Sequence, residues 1–184
     1  MVRFIQENTP ASQQMIEING AIGEGGGQVL RTSLSLSALT GTPVRIEQIR
    51  ANRSQPGLRP QHLAAVRAIA KLTGAEVTGA DLNSNALTLI PQKVRPGRYR
   101  FEIPTAGALT LLLQTVFLPL SFAGGTSSLI LTGGTHVPWS PVFHYLTAQW
   151  LPIMVKLGFR AELVLSCAGF YPRGGGEAQV KILL

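Results

Sequence analysis

Acidic residues are scarce: nine Asp and Glu stand against sixteen Lys and Arg, leaving a formal net charge of +7 and a pI near 10.3. That balance favours polyanionic partners such as nucleic acid or nucleotides. Cysteine is nearly missing. A single Cys167 excludes an internal disulfide framework and a cysteine-based zinc site, and a lone thiol of this kind is expected as a small buried hydrophobe. The three histidines, His62, His136 and His144, show no metal-ligand spacing. The first fifteen residues contain no apolar segment of the signal-peptide kind. An apolar, uncharged run, Ala106 to Gly125, is interrupted by Gln114, Pro119 and Ser121. It reads as a buried helix and not a membrane span, so no membrane partner and a cytoplasmic location are expected. With charged residues at 14% and apolar ones at 45%, the composition excludes a disordered chain and describes one with a sizeable core.

What is present reads as one unit written twice. A strand from Met15 to Asn19 leads through a glycine loop to a helix from about Gly26 to Thr40, which Gly41 and Pro43 stop. A strand, Val44 to Arg50, precedes a loop with Pro56 and Gly57. A second helix, from about Pro60 to Thr73, carries Leu63, Val66, Ile69 and Leu72 at helical spacing and ends at Gly74. Strands Ala75 to Thr78 and Ala86 to Ile90 follow. The order then recurs: strand Tyr99 to Ile103, helix Ala106 to Ala123, strand Ser128 to Thr132, helix Val142 to Leu157, and strands Ala161 to Ser166 and Ala178 to Leu183. Gly41 and Gly74 are as far apart in sequence as Gly125 and Gly158, and Lys71-Leu72 matches Lys156-Leu157. Such self-similarity marks stacked structural units. The fold class predicted is α+β, with two tandem βαβαββ-type units, each having two helices on one face of a small mixed sheet. The expected divisions are a flexible tail at 1–14, a first unit at 15–92 and a second at 93–184.

Three stretches carry candidate chemistry. Gly23-Glu24-Gly25-Gly26-Gly27-Gln28 opens a helix. Glycines let a ligand approach the backbone, and a helix start offers free N–H groups at the positive end of its dipole, which suits phosphate. The pattern is neither a Walker motif nor a dinucleotide fingerprint. Gln28 and Arg31 are three residues apart and project from one side of the helix. Glu24 in such a site is explained by a metal ion bridging it to a phosphate, or else as a dipole-favourable residue in a plain glycine turn. In the second stretch, Arg50 to His62, three arginines pass from a strand end to a helix start with no acid among them. Guanidinium clusters hold phosphates through bidentate bonds; a solvated basic loop is the alternative, with His62 a surface or capping residue. The third, Gly169 to Glu177, is a glycine turn between strands that echoes the first. Gln114, within a helix, needs a partner or a cavity.

Together and in this order, these stretches resemble the RNA 3'-terminal phosphate cyclase family, from about Ile16 to Leu184. The resemblance implies repeated βαβαββ-type units with a smaller domain inserted before a last unit. It also implies an enzyme using ATP and a divalent metal, magnesium or manganese, to turn the 3'-phosphate of an RNA end into a 2',3'-cyclic phosphate. In the family a histidine takes up AMP from ATP, passes it to the RNA phosphate, and the 2'-hydroxyl displaces it. Glu24 would then sit at the metal and ATP, with Gln28, Arg31, Arg50, Arg53 and Gln61 around phosphates and Gln114 as a further nucleotide contact. The family's nucleophilic histidine lies late in the chain, so it is expected beyond Leu184, and none of the three histidines present matches it. On that basis the chain is expected to be truncated and inactive alone, with exposed apolar surface that would favour a homodimer. The alternatives are a non-catalytic cyclase-like RNA-binding protein of RNA processing or ribosome assembly, and a phosphorylated-metabolite enzyme built on similar units.

Overall fold

The computed structural model describes residues 14–184; the expected tail at 1–14 lies, but for Gln14, outside the described residues. Strand β1 (Ile16–Asn19) leads to helix α1 (Gly27–Thr40), then β2 (Val44–Glu47), α2 (Pro60–Thr73), β3 (Glu76–Thr78) and β4 (Leu87–Ile90). These four strands form a sheet of order β1-β2-β4-β3, in which only β1 and β2 run parallel. The second sheet contains β5 (Arg98–Glu102), β6 (Ser127–Gly133), β7 (Arg160–Cys167) and β8 (Gly176–Leu183). Its order is β5-β6-β8-β7, again with one parallel pair at the first edge. The chain is therefore α+β, and the repetition read from element order extends to strand pairing.

Local chemistry explains most of the boundaries. Pro60 opens α2 at a position where its missing N–H costs nothing, and Gly41 and Gly74 close α1 and α2 in the left-handed conformation. Helix α3 (Leu109–Ser121) begins three residues after the expected Ala106. The reason is non-local: the Ala108 N–H donates to Gln61 Oε1, and Leu109 N–H to the Gly134 carbonyl at 2.9 Å. The expected helix Val142 to Leu157 is three pieces: α4 (Phe143–Tyr145), a π-helical segment (Leu146–Trp150) and α5 (Leu151–Lys156). Pro152 is the second residue of α5, one residue beyond the π segment. A proline ring collides with the carbonyl four residues back, and widening the preceding turn relieves the clash.

The sheets alternate strictly. Val44, Ile46, Leu87 and Leu89 in the first, and Leu129, Leu131, Val180 and Ile182 in the second, turn inward. With Leu34, Ile69, Leu113 and Phe117 from the helices they form one apolar cluster through both units, and α1, α2 and α3 pack against one another. Each such side chain contributes roughly 1.5–3 kcal/mol of burial. Coverage is thinner at the β7 end: α5 has no buried residue, and Phe122, Ile153, Val155, Leu157 and Val164 are exposed. Cys167 corrects an expectation. It is exposed, at a bulge in the edge strand β7 between Leu165 and Cys167, where no element covers it. No helix among the described residues is long and apolar enough to cross a membrane.

Candidate phosphate-binding site

The glycine cluster before α1 and the loop before α2, read separately in the sequence, interlock. Gly23 and Gly25 take positive φ (64° and 58°), a conformation glycine adopts without cost. Each of the next contacts occupies the space where a side chain would begin. A Cβ on Gly25 would lie 2.7 Å from Asn52 Nδ2, one on Gly26 2.9 Å from Arg53 Nη2, and one on Gly27 3.0 Å from Arg31 Nη1 while colliding with His62 Nε2. Three successive glycines thus receive amide, guanidinium and imidazole nitrogens. Asn52 fastens the two loops by donating to the Ala21 carbonyl at 3.1 Å.

Arg31 stands in the first turns of α1, where one guanidinium nitrogen donates to Gln28 Oε1 at 2.9 Å and Gln28 donates in turn to Thr32 Oγ1. Its Nε is buried with no hydrogen-bond partner, a deficit that costs free energy until an acceptor arrives. Burial lowers its pKa to about 10. His62, expected as a surface or capping residue, is 3% exposed and is the cap. Its Nδ1 accepts the Arg59 N–H at 3.3 Å, a cap on α2. Burial first, then the charges of Arg50, Arg31 and Arg59, hold its pKa down at about 3. The imidazole is therefore neutral at physiological pH.

The remaining expected residues divide. Arg53 pairs with Glu24 at the mouth of the glycine loop; both are well exposed, so the pair adds little stability. Arg50, at a positive φ of 55°, donates through Nη1 to the carbonyls of Gln55 (2.6 Å) and Gly57 (3.0 Å), so that nitrogen already holds its own loop. Its pKa is lowered by burial and by Arg59. Arg59 itself is braced by Asn83 Oδ1 at 2.7 Å. Gln114 is half-buried and lines a groove of about 160 Å³ between α1 and α3 together with Gln28 and Arg31. Gln61 lines a separate hollow of about 390 Å³ walled by Val137, Pro138, Trp139 and Tyr171. Gln28, Arg31 and Gln114 thus share one groove, Glu24 and Arg53 pair at the glycine loop, Arg50 acts on His62 through its charge, and Gln61 lines a different hollow. Among the described residues no three metal-ligating side chains come together; Glu24 is a lone carboxylate. Sequence reasoning missed Asn52 and His62 as parts of the cluster. The placement of His62 three residues after the start of the Arg59–Pro60 cap was the available signal.

The protein is thus of the α+β class, with several guanidinium groups gathered near the start of α1. A family model described as RNA 3'-terminal phosphate cyclase matches residues 22–183, and the chain belongs to that family. It is 50% identical over 175 residues to the RNA 3'-terminal phosphate cyclase of Gloeothece citriformis, covering 91% of this chain and 50% of that protein. It is 52% identical over 167 residues to the protein of the same name from Ralstonia nicotianae, covering 91% and 48%. The chain spans about half the length of the curated relatives it matches. The solved enolpyruvyl transferase NikO from Streptomyces tendae overlaps 85% of this chain and 29% of its own, with a TM-score of 0.44 and 16% identity, a likeness too slight to bear on fold or function.

Proposed function

We propose that this chain supplies the phosphate-holding part of an RNA 3'-terminal phosphate cyclase that acts with ATP on the 3'-phosphate of an RNA end. The observation that carries this reading is the buried, unpartnered Nε of Arg31, whose Nη1 lies beside Gly27, in a cluster of guanidinium groups where the exposed Glu24 pairs with Arg53. Anionic oxygens repay such a cluster, because each bond to a charged group is stronger than a neutral one. Glu24 fits a magnesium or manganese ion, which takes one or two protein carboxylates and completes its shell with phosphate oxygens and water. Bound there, the ion would neutralise phosphate charge; Arg53, released from Glu24, would turn to the same phosphates.

The 184 residues alone, matching about half the relatives' length, are expected to form no covalent adenylate. His62 caps α2, and His136 and His144 are joined to each other, Nε2 to Nδ1, at 2.8 Å. Radiolabelled ATP with manganese, followed by denaturing electrophoresis, tests this, and label retained on the chain would overturn it. Binding is tested with ATP and with a 3'-phosphorylated oligoribonucleotide. Arg31→Gln should weaken both by about 10- to 100-fold, the range of a lost charge-assisted bond. Equal dissociation constants for variant and parent would remove the cradle from the reading.

A further inference from the structure

A neutral histidine is an unexpected member of a phosphate cradle, since it brings no charge. Its orientation is fixed. The Arg59 N–H donates to Nδ1, so in the neutral ring the proton must reside on Nε2. That Nε2 has no hydrogen-bond partner among the described residues, belongs to a side chain only 3% exposed, and points at the Cβ-less face of Gly27, where Arg31 Nη1 also arrives. Burial and three neighbouring arginines keep the ring uncharged, so the N–H stays a donor with no acceptor beside it. That donor is thus open to an anion's oxygen at the same place where Arg31 leaves its buried Nε unmatched.

We infer that His62 is a phosphate-contacting residue, its Nε2–H donating to the same anion that Arg31 holds at the start of α1. The inference rests on the cradle reading above and adds to it a contact without charge. Two properties follow. The contact strengthens binding through geometry, so it leaves the salt dependence untouched, whereas Arg31 sets that dependence. And because the ring stays neutral across pH 5 to 8, the contact does not fade in that range as an ordinary histidinium contact would.

The test uses the 184-residue chain, inorganic pyrophosphate as probe, and calorimetry at several salt concentrations. Asparagine preserves an acceptor near Nδ1 but lacks the distal donor, whereas glutamine places an amide N–H near Nε2. His62→Asn should bind pyrophosphate about tenfold more weakly with an unchanged salt slope, and His62→Gln should recover part of the loss. Arg31→Gln should weaken binding and flatten the slope. If Arg31→Gln weakens binding and His62→Asn does not, the cradle stands and the His62 contact is overturned; if neither variant changes it, both fall. A nitrogen-15 spectrum of the unaltered chain needs no variant to fold. A proton on Nε2 that shifts when pyrophosphate is added supports the contact; a proton on Nδ1, or a signal unmoved at saturation, overturns it.

Discussion

At the scale of single residues, burial decides which charges matter. Glu24 and Arg53 meet in the open and contribute little to stability, while His62, enclosed, is held far from its usual titration range. The sign of its effect on folding follows by linkage. Its folded pKa of about 3 lies below the value of 6.5 it has when free, so the unfolded chain binds the proton first as pH falls. The stability tied to neutral His62 is therefore complete above pH 6.5 and is lost between there and about pH 3, by at most about 1.4 kcal/mol per pH unit. Urea melts from pH 7 to pH 4 should show this decline, and His62→Asn should flatten it; parallel curves would show that other groups dominate acid unfolding.

At the scale of elements, the contacts between segments that are distant in sequence carry the unexpected findings. Helix α2 was readable to the residue because Pro60, its apolar spacing and Gly74 are local signals. The late start of α3 was not, since Gln61 and Gly134 hold its first residues from outside. Nor was the π segment, although Pro152 in the sequence was a sufficient reason to expect a break in that helix. Gln28 and Arg31 were placed on one side of α1 by spacing alone, and they share a hydrogen bond. Asn52 and His62 were not linked to the glycines, because nothing in a linear pattern shows which loop fills the space a missing Cβ leaves. Gly27→Ala should expose this interlock. The added methyl meets His62 and Arg31, so it should lower stability by about 1–3 kcal/mol and also weaken ATP binding. A thermal melt and a titration check both, and an unchanged Tm would mean that the imidazole has room to retreat.

At the scale of the whole molecule, the duplicated unit was legible because its repeat shows in spacing, and strand order was not, because pairing between distant segments leaves no local trace. The two sheets share a connected core, yet the β7 end is left thinly covered, with Leu157 and Phe122 each 68% exposed. Apolar surface of this kind favours association. Sedimentation velocity is expected to show the chain passing from monomer to dimer as concentration rises, and Leu157→Glu to keep it monomeric with its melting temperature unchanged. A monomer at every concentration would place the patch outside any self-contact.

The fit of Asn52, Arg53 and His62 against Gly25, Gly26 and Gly27 has a genetic consequence. Neither segment is free to vary alone: bulk gained on one side has to be given up on the other. The stability lost in Gly27→Ala should accordingly be regained in part with a shorter residue at position 62. Among descendants of this chain the two loops should drift as a matched pair.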